Sequence, residues 1–329
     1  MKYRTIPGTS LNVSEVGFGV WTLSTGWWGE VTDEKAHHLL RYALDRGINF
    51  FDTADTYGNG RGEKLVGDAL YRERERTVIA TKFGYDFYHY AGERKGQQEI
   101  PQDFSPKFVK FACEESLKRL RTDHIDLYQI HNPKMSAVEA DDLYAALEKL
   151  KKDGKIFAWG AALGPAIGWL EEGKLLTSWR KVRSIQMIYN LLEQDPGREL
   201  FDAGKKIGTG FFVRVPHSSG MLEGKYTKDT VFDKNDHRSH RKREWLTEGL
   251  KKIEKLEFLT RTKERTLGQA ALKFILAEPV VVSTLPNIYG EEQINEFAMT
   301  SECPDLTADE LAQISDLYEH NFYLEEVRI

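Results

Sequence analysis

The chain has 329 residues, 40% of them hydrophobic and 29% charged, with a formal net charge of -5 at pH 7. No apolar run approaches the roughly 18 residues of a membrane span, and the negative balance argues against a nucleic-acid protein, whose phosphate-binding face makes its domain basic. Two cysteines, Cys113 and Cys303, leave no disulfide framework or Cys-rich metal site, and the opening MKYRTIPGTSLNV lacks the apolar core of a secretory signal, so a reducing, cytoplasmic setting is expected.

From the N-terminus, KYRTIPGTSLNVSEVGFG alternates polar and apolar residues around PGTS and predicts a short hairpin running into a first strand. DEKAHHLLRYALDRG sets Ala36, Leu39, Leu40, Ala43 and Leu44 on one helical face and stops at Gly47. A second helix gathers Leu65, Val66, Ala69 and Leu70. A third opens with Ser105 as cap and Pro106 in the first turn, burying Val109, Cys113, Leu117 and Leu120. A fourth carries Leu143, Ala146, Leu147 and Leu150 before Gly154.

Between the helices lie β-rich runs: NFFDTA, TVIATK, IDLYQI, KIFAWGAAL, VRSIQMIY, GTGFFVRVP and VVVSTLP. With EVGFG they make eight strand candidates, most separated by one helix. That alternation predicts a single (β/α)8 TIM barrel domain over residues 1–329, with an N-terminal β-hairpin. An open doubly wound sheet is the other fold for such a pattern. It lacks its fingerprint, since GNGRG at Gly58 has the wrong spacing for G-x-G-x-x-G. Two long stretches, 84–102 and 217–243, are expected at the C-terminal mouth. The basic run HRSHRKR, 237–243, reads as a solvated loop or the frayed start of a helix.

Four polar residues end successive apolar runs: Asp52 and Tyr57 in NFFDTADTYG, Lys82 in TVIATKFG and His131 in IDLYQIHN. Val78, Ala80 and Lys82 share one side of a strand, as do Ile125, Leu127, Gln129 and His131. Inward-pointing faces put Lys82 and His131 on the barrel rim. Parity separates Asp52 from Tyr57, so the strand ends near Ala54 and Tyr57 sits in the loop above. A phenol, with an ordinary pKa of about 10, gives up its proton poorly near neutrality. An ammonium beside it favours the phenolate, and a carboxylate keeps that ammonium charged. Tyr57, Lys82 and Asp52 supply these parts for carbonyl reduction, with His131 to orient or polarise the carbonyl. Asp55 is a competing carboxylate that can serve only its own loop. Taken singly, each of these residues also fits a plain rim salt bridge or a structural histidine.

The ordered series FFDTADTYGNGRGEKLVGDAL, IATKFG, SLKRLRTDHIDLYQIHNP, ALEKLKKDGKI, SGMLEGKY and LPNIYGEEQINEF resembles the aldo-keto reductase superfamily, in its bacterial branch akin to potassium-channel β subunits. The resemblance covers nearly the whole chain. It implies that Asp52, Tyr57, Lys82 and His131 form a catalytic tetrad with Tyr57 as general acid, and that NADPH, or NADH, supplies a hydride to an aldehyde or ketone. It further implies Gln186 on the nicotinamide carboxamide and Arg214 against its ring, where some relatives have an aromatic residue. Pro216, Ser219, Gly220, Leu222, Gly224 and Lys225 would follow the pyrophosphate, and Asn287, Gln293 and Glu296 the adenosine end. A Gly-rich, Lys-bearing loop suits phosphates through backbone amides and one ammonium.

The chain departs from the family in two segments. Asn287 and Gln293 stand where strongly NADPH-selective relatives carry Lys or Arg, and Phe297 where the last family Asn stands. Gly160, Ala161, Ala162 and Leu163 replace Gly-Val-Ser-Asn. Trp21, Trp28 and Tyr85 are the expected substrate-pocket residues, in an aromatic wall that Trp27, Phe87, Tyr88 and Tyr90 extend, although such rings also serve to pack loops. The expected partner is a small carbonyl compound. A cofactor-binding regulatory subunit resembling the channel β subunits is the alternative, and a Schiff-base enzyme with Lys82 as nucleophile is a third.

Overall fold

The computed structural model describes residues 1–92, 99–164, 168–234 and 236–324. Part of the 84–102 stretch therefore lies outside the described residues. Two short antiparallel strands, β1 (Tyr3–Thr5) and β2 (Asn12–Ser14), form the expected hairpin. Eight further strands then run parallel in chain order: β3 (Phe18–Gly19), β4 (Phe50–Asp52), β5 (Val78–Phe83), β6 (Ile125–His131), β7 (Ile156–Ala162), β8 (Ser184–Ile188), β9 (Gly210–Arg214) and β10 (Val281–Leu285). The first and last meet through a parallel bridge, Val16 to Thr284, with Gly17 N donating to Thr284 O at 2.8 Å and Thr284 N to Glu15 O at 2.9 Å. The eight predicted strands thus form the (β/α)8 barrel.

The helices are α1 (Trp21–Ser24), α2 (Asp33–Asp45), α3 (Arg61–Leu70), α4 (Pro106–Leu120), α5 (Met135–Glu139), α6 (Asp141–Lys152), α7 (Leu170–Ser178), α8 (Gly197–Ile207), α9 (Arg243–Lys255), α10 (Leu267–Leu276), α11 (Glu291–Ala298) and α12 (Ala308–Glu319). None among the described residues is long and apolar enough to cross a membrane. Their starts follow local chemistry. Ser105 Oγ accepts from Phe108 N before Pro106 opens α4, and Thr266 forms a reciprocal capping box with Gln269 on α10. The apolar faces read from the sequence on α2, α3 and α4 are buried against the outside of the sheet.

Inside the barrel a separate apolar cluster stacks Phe50, Val78, Ala80, Leu127, Ala158, Phe212, Val282 and Leu285, and the hairpin adds Ile6 and Val13 as a plug at the lower end. Arg4 fastens that plug, pairing with Glu15 at 2.8 Å and donating to the carbonyls of Val281 and Leu276. The interior is therefore packed below and polar only at the mouth, which fixes the height at which chemistry can occur. Phe50 and Phe212 stack across it with ring centroids 4.7 Å apart. Phe212→Ala should cost about 3–5 kcal/mol in urea unfolding, and a cost below about 1 kcal/mol would contradict this packing.

Candidate active site

Strand parity brings four side chains from four strands to one level above the apolar plug. Asp52 (β4), Lys82 (β5), Gln129 (β6) and Gln186 (β8) all point inward there. Lys82, fully buried, donates from Nζ to Asp52 Oδ1 at 2.6 Å, to the Thr53 carbonyl at 2.7 Å and to the Tyr57 hydroxyl at 3.4 Å. The other carboxylate oxygen of Asp52 accepts from Gln129 Nε2 at 3.0 Å and Gln186 Nε2 at 2.8 Å. A buried ion pair is tolerable only when its remaining lone pairs and protons are satisfied, and this one is supplied from three neighbouring residues.

Tyr57 lies in the turn after β4, as parity requires, half-buried over Lys82 with the ammonium 4.9 Å from its ring centroid. His131 closes the group from the end of β6. Its ring meets that of Tyr57 edge-on at 5.9 Å and that of Tyr85 at 5.1 Å. The corner after His131 is pinned from the 84–102 stretch. Gln102 Nε2 donates to the carbonyls of His131 and Asn132 at 3.0 and 3.1 Å, and Asn132 Nδ2 to the Tyr85 hydroxyl at 2.8 Å. Asn132 itself has φ +50°, a left-handed turn that asparagine accepts more readily than most residues.

Asp55 is no rival to Asp52. Its carboxyl is buried, and burial together with the neighbouring Glu63 holds its pKa well above the usual carboxylate range despite Arg119. Glu63 in turn binds Arg119 at 2.7 Å and the Thr81 hydroxyl, behind the rim and away from Lys82.

Arg214, at the end of β9, donates from Nη2 to the carbonyls of Leu163 and Gly164, each at 2.6 Å. Burial lowers its pKa, opposed by the acidic groups of Tyr57, Asp52 and Tyr85. Beyond it Pro216, Ser219, Gly220 and Leu222 are buried in a segment of tight turns, where Val215, Ser218, Ser219, Gly220 and Gly224 all have positive φ. At Gly220, with φ +90°, a side chain would also meet the Tyr226 hydroxyl at 2.3 Å, so any other residue would be strained there. Among the described residues no hydrogen bond is seen for the amides of Ser219 and Gly220, whereas those of Ser218, Met221, Leu222 and Glu223 are spent on local turns. Lys225 at the edge pairs with Glu292 at 3.3 Å. Amides gathered in left-handed turns are an anion-binding arrangement.

At the far end Asn287 is half-buried after β10, and Gln293 and Glu296 lie on α11. Glu296 accepts from the Thr266 hydroxyl at 2.6 Å, and Gln293 Oε1 is buried without a hydrogen-bond partner. Tyr289 donates to Glu223 Oε2 at 3.0 Å across this end of the cleft.

The 217–243 stretch does not stand off in solvent. It crosses the mouth: His237 N donates to the Trp27 carbonyl at 2.8 Å, and its ring meets Trp21 at 5.7 Å. The Arg238 guanidinium lies 4.0 Å from the centroid of Trp28, which stacks on Tyr289, and Arg241 donates to Ser219 Oγ at 3.0 Å. The basic run, read as a solvated loop or the frayed start of a helix, is exposed over 240–243 and leads into α9 at Arg243, but is half-buried at His237 and Arg238, because the aromatic residues of the first loop give cations an apolar face to cover. The charges were legible, but their landing place 200 residues back in the chain was not. Gln102 is likewise a site neighbour outside any motif, and Gln129 and Asn132, though inside the IDLYQIHNP run, carry no role that the run announces.

Burial raises the Glu223 pKa from 4.5 to about 7. Between those values the unfolded chain gives up a proton that the folded chain keeps, so this carboxyl withdraws stability as pH rises through the interval, by up to about 3 kcal/mol above pH 7. Glu223→Gln should therefore gain stability over the parent at pH 8 and little at pH 5, read from denaturation midpoints. An equal gain at both values would contradict the assignment.

The model of the Aldo/keto reductase family matches residues 15–319. The chain is 30% identical over 287 residues to aldo-keto reductase YhdN of Bacillus subtilis (strain 168), covering 85% of this chain and 82% of that protein. It is 26% identical over 314 residues to a probable voltage-gated potassium channel subunit beta of Oryza sativa subsp. japonica, covering 90% of each. Among solved structures it is similar to the glycerol dehydrogenase AKR11B4 from Gluconobacter oxydans, with a TM-score of 0.83, 27% identity and coverage of 100% of this chain and 98% of that one. An inward polar rim on a barrel of this topology and these likenesses lead to one conclusion: the chain belongs to the aldo/keto reductase family and is an oxidoreductase.

Proposed function

We propose that this oxidoreductase reduces aldehyde or ketone carbonyls to alcohols, reversibly, with a nicotinamide dinucleotide, NADPH or NADH, in the cytoplasm. The observation that carries the reading is the Tyr57 hydroxyl, 3.4 Å from an ammonium that is itself fixed on Asp52 at 2.6 Å and flanked by the His131 ring. Tyr57 gives its proton to the carbonyl oxygen. Lys82 and Asp52 hold the charge that makes the phenolate left behind tolerable. His131, braced by Tyr85 and the Gln102 clamp, orients that oxygen. The nucleotide, when bound, would supply the hydride, so that the substrate would gain one hydride at carbon and one proton at oxygen.

The residues present fit such a group. The unclaimed amides of Ser219 and Gly220, with Arg241 and Lys225 beside them, would hold the pyrophosphate, and Pro216, Leu222 and Gly224 shape that path. The buried, unpartnered Gln293 Oε1, with Asn287 and Glu296, would receive the adenosine end. Asn287 and Gln293 are uncharged, so a 2'-phosphate meets few cations there and the two nucleotides are closer in affinity than in strongly selective relatives. Arg214 lies on the nicotinamide side. Gln186 is engaged by Asp52 through its Nε2, leaving its Oε1 to serve a carboxamide N–H. Tyr85, against His131, and Trp21 line the substrate side, with Trp28 reaching from Trp21 toward Tyr289 at the far end, and the dehydrogenase activity in the name of the Gluconobacter relative belongs to the same alcohol–carbonyl chemistry.

Tyr57→Phe should lower kcat for carbonyl reduction by about 10²–10⁴-fold while nucleotide binding, followed by fluorescence, stays near the parent value. Full activity in that variant would remove Tyr57 from the role of acid.

A further inference from the structure

Among the described residues, Lys82 and Arg214 are two cations near Asp52, and Asp52 pairs with only one of them. Lys82 is neutralised by Asp52. Arg214 has no carboxylate within ion-pair distance among the described residues, and its recorded acceptors are two neutral carbonyl oxygens, of Leu163 and Gly164. Carbonyl dipoles orient a guanidinium without cancelling its charge, and arginine stays protonated in proteins, so the charge persists even where burial opposes it. Arg214 ends β9 beside Ile188, two residues above the Gln186–Phe212 pair of the Asp52 layer, and the acidic groups whose charges reach it are Tyr57, Asp52 and Tyr85, so it stands at the tetrad's side of the mouth.

A nicotinamide ring is neutral when reduced and carries one positive charge when oxidised. A guanidinium without a counter-ion is indifferent to the first and repels the second. We propose that Arg214 is a redox-form discriminator: its unmatched charge lets the site retain reduced nicotinamide nucleotide and expel the oxidised form. The inference rests on the function proposed above and adds to it a reason why this strand end carries a cation. The discrimination also raises the potential of the bound couple relative to the free one, because whichever form binds tighter is the form stabilised. It therefore favours loading and product exit, and leaves the overall reaction equilibrium where the free reactants put it. For charges about 6 Å apart at an effective dielectric constant of about 20, the effect is roughly ten- to a hundredfold in the ratio of dissociation constants.

The test is fluorescence and calorimetric titration of the full chain with NADPH and NADP+, and with NADH and NAD+, in the parent and in Arg214→Met, Arg214→Gln and Arg214→Lys. The expected result is a ratio of oxidised to reduced dissociation constants that falls about ten- to a hundredfold in the Met and Gln variants and stays close to the parent in Lys. Gln keeps N–H donors for the two carbonyls, so it reports on charge even if Met folds poorly. An unchanged ratio in Gln overturns the inference, as does an equal fall in Lys, which would make the effect structural. Loss of affinity only for carboxylate-bearing carbonyls, with the ratio intact, would assign the guanidinium to substrate instead. Failure of the parent to bind any of the four nucleotides would overturn the proposed function as well.

Discussion

Everything at the mouth depends on a single buried ion pair. Lys82 and Asp52 sit enclosed above an apolar plug, where loss of either would leave the other buried without its partner, and each is saturated by neutral partners: the Thr53 carbonyl for the ammonium, the Gln129 and Gln186 amides for the carboxylate. Such a pair adds little net stability, because desolvation offsets most of its attraction. What it gives is position. Four strands contribute one residue each to the same network, so the relative height of β4, β5, β6 and β8 is locked at the level where Tyr57 and His131 arrive. A shift of one residue in any of them would turn its member outward and strand the rest.

This layer was largely legible in the sequence, and the reason is the period of two. An ammonium at the same parity as Val78 and Ala80, and an imidazole at the same parity as Leu127, must point where those residues point, and Leu127, Val78 and Ala80 do lie in the barrel interior. The odd spacing of Asp52 and Tyr57 put the tyrosine in the turn by the same rule. Ile125, which parity placed with Leu127, packs instead in the outer cluster, since a strand's first residue is not yet held by the pleat.

Periodicity could say nothing about the loops. Asp55 and Asp52 are the same residue type three positions apart, yet one is ionically paired and the other is turned into a second polar cluster with Glu63 and Arg119. The resemblance assigned Gln186 to the nicotinamide carboxamide, but nothing in the sequence said that its Nε2 would be spent on Asp52, which is decided by residues on other strands. The basic run at 237–243 looked solvated because its partners, Trp21, Trp27 and Trp28, belong to the first loop of the barrel. Contacts of that sequence separation leave no local pattern to read.

The two halves of the site differ in how firmly they are held. Below, the ion pair and its amides are bonded through strand-borne side chains and are buried. Above, the crossing segment is joined to the first loop by the His237–Trp27 backbone bond and the face-on contact of Arg238 with Trp28, and to its own turn by Arg241 on Ser219. Opening free energy follows the number of buried contacts that must break, so the roof opens before the floor yields. On the proposed function, a nucleotide held under that segment would enter and leave without disturbing Lys82. The same division would let substitutions in the crossing segment change what binds while Tyr57, Lys82 and Asp52 keep their places.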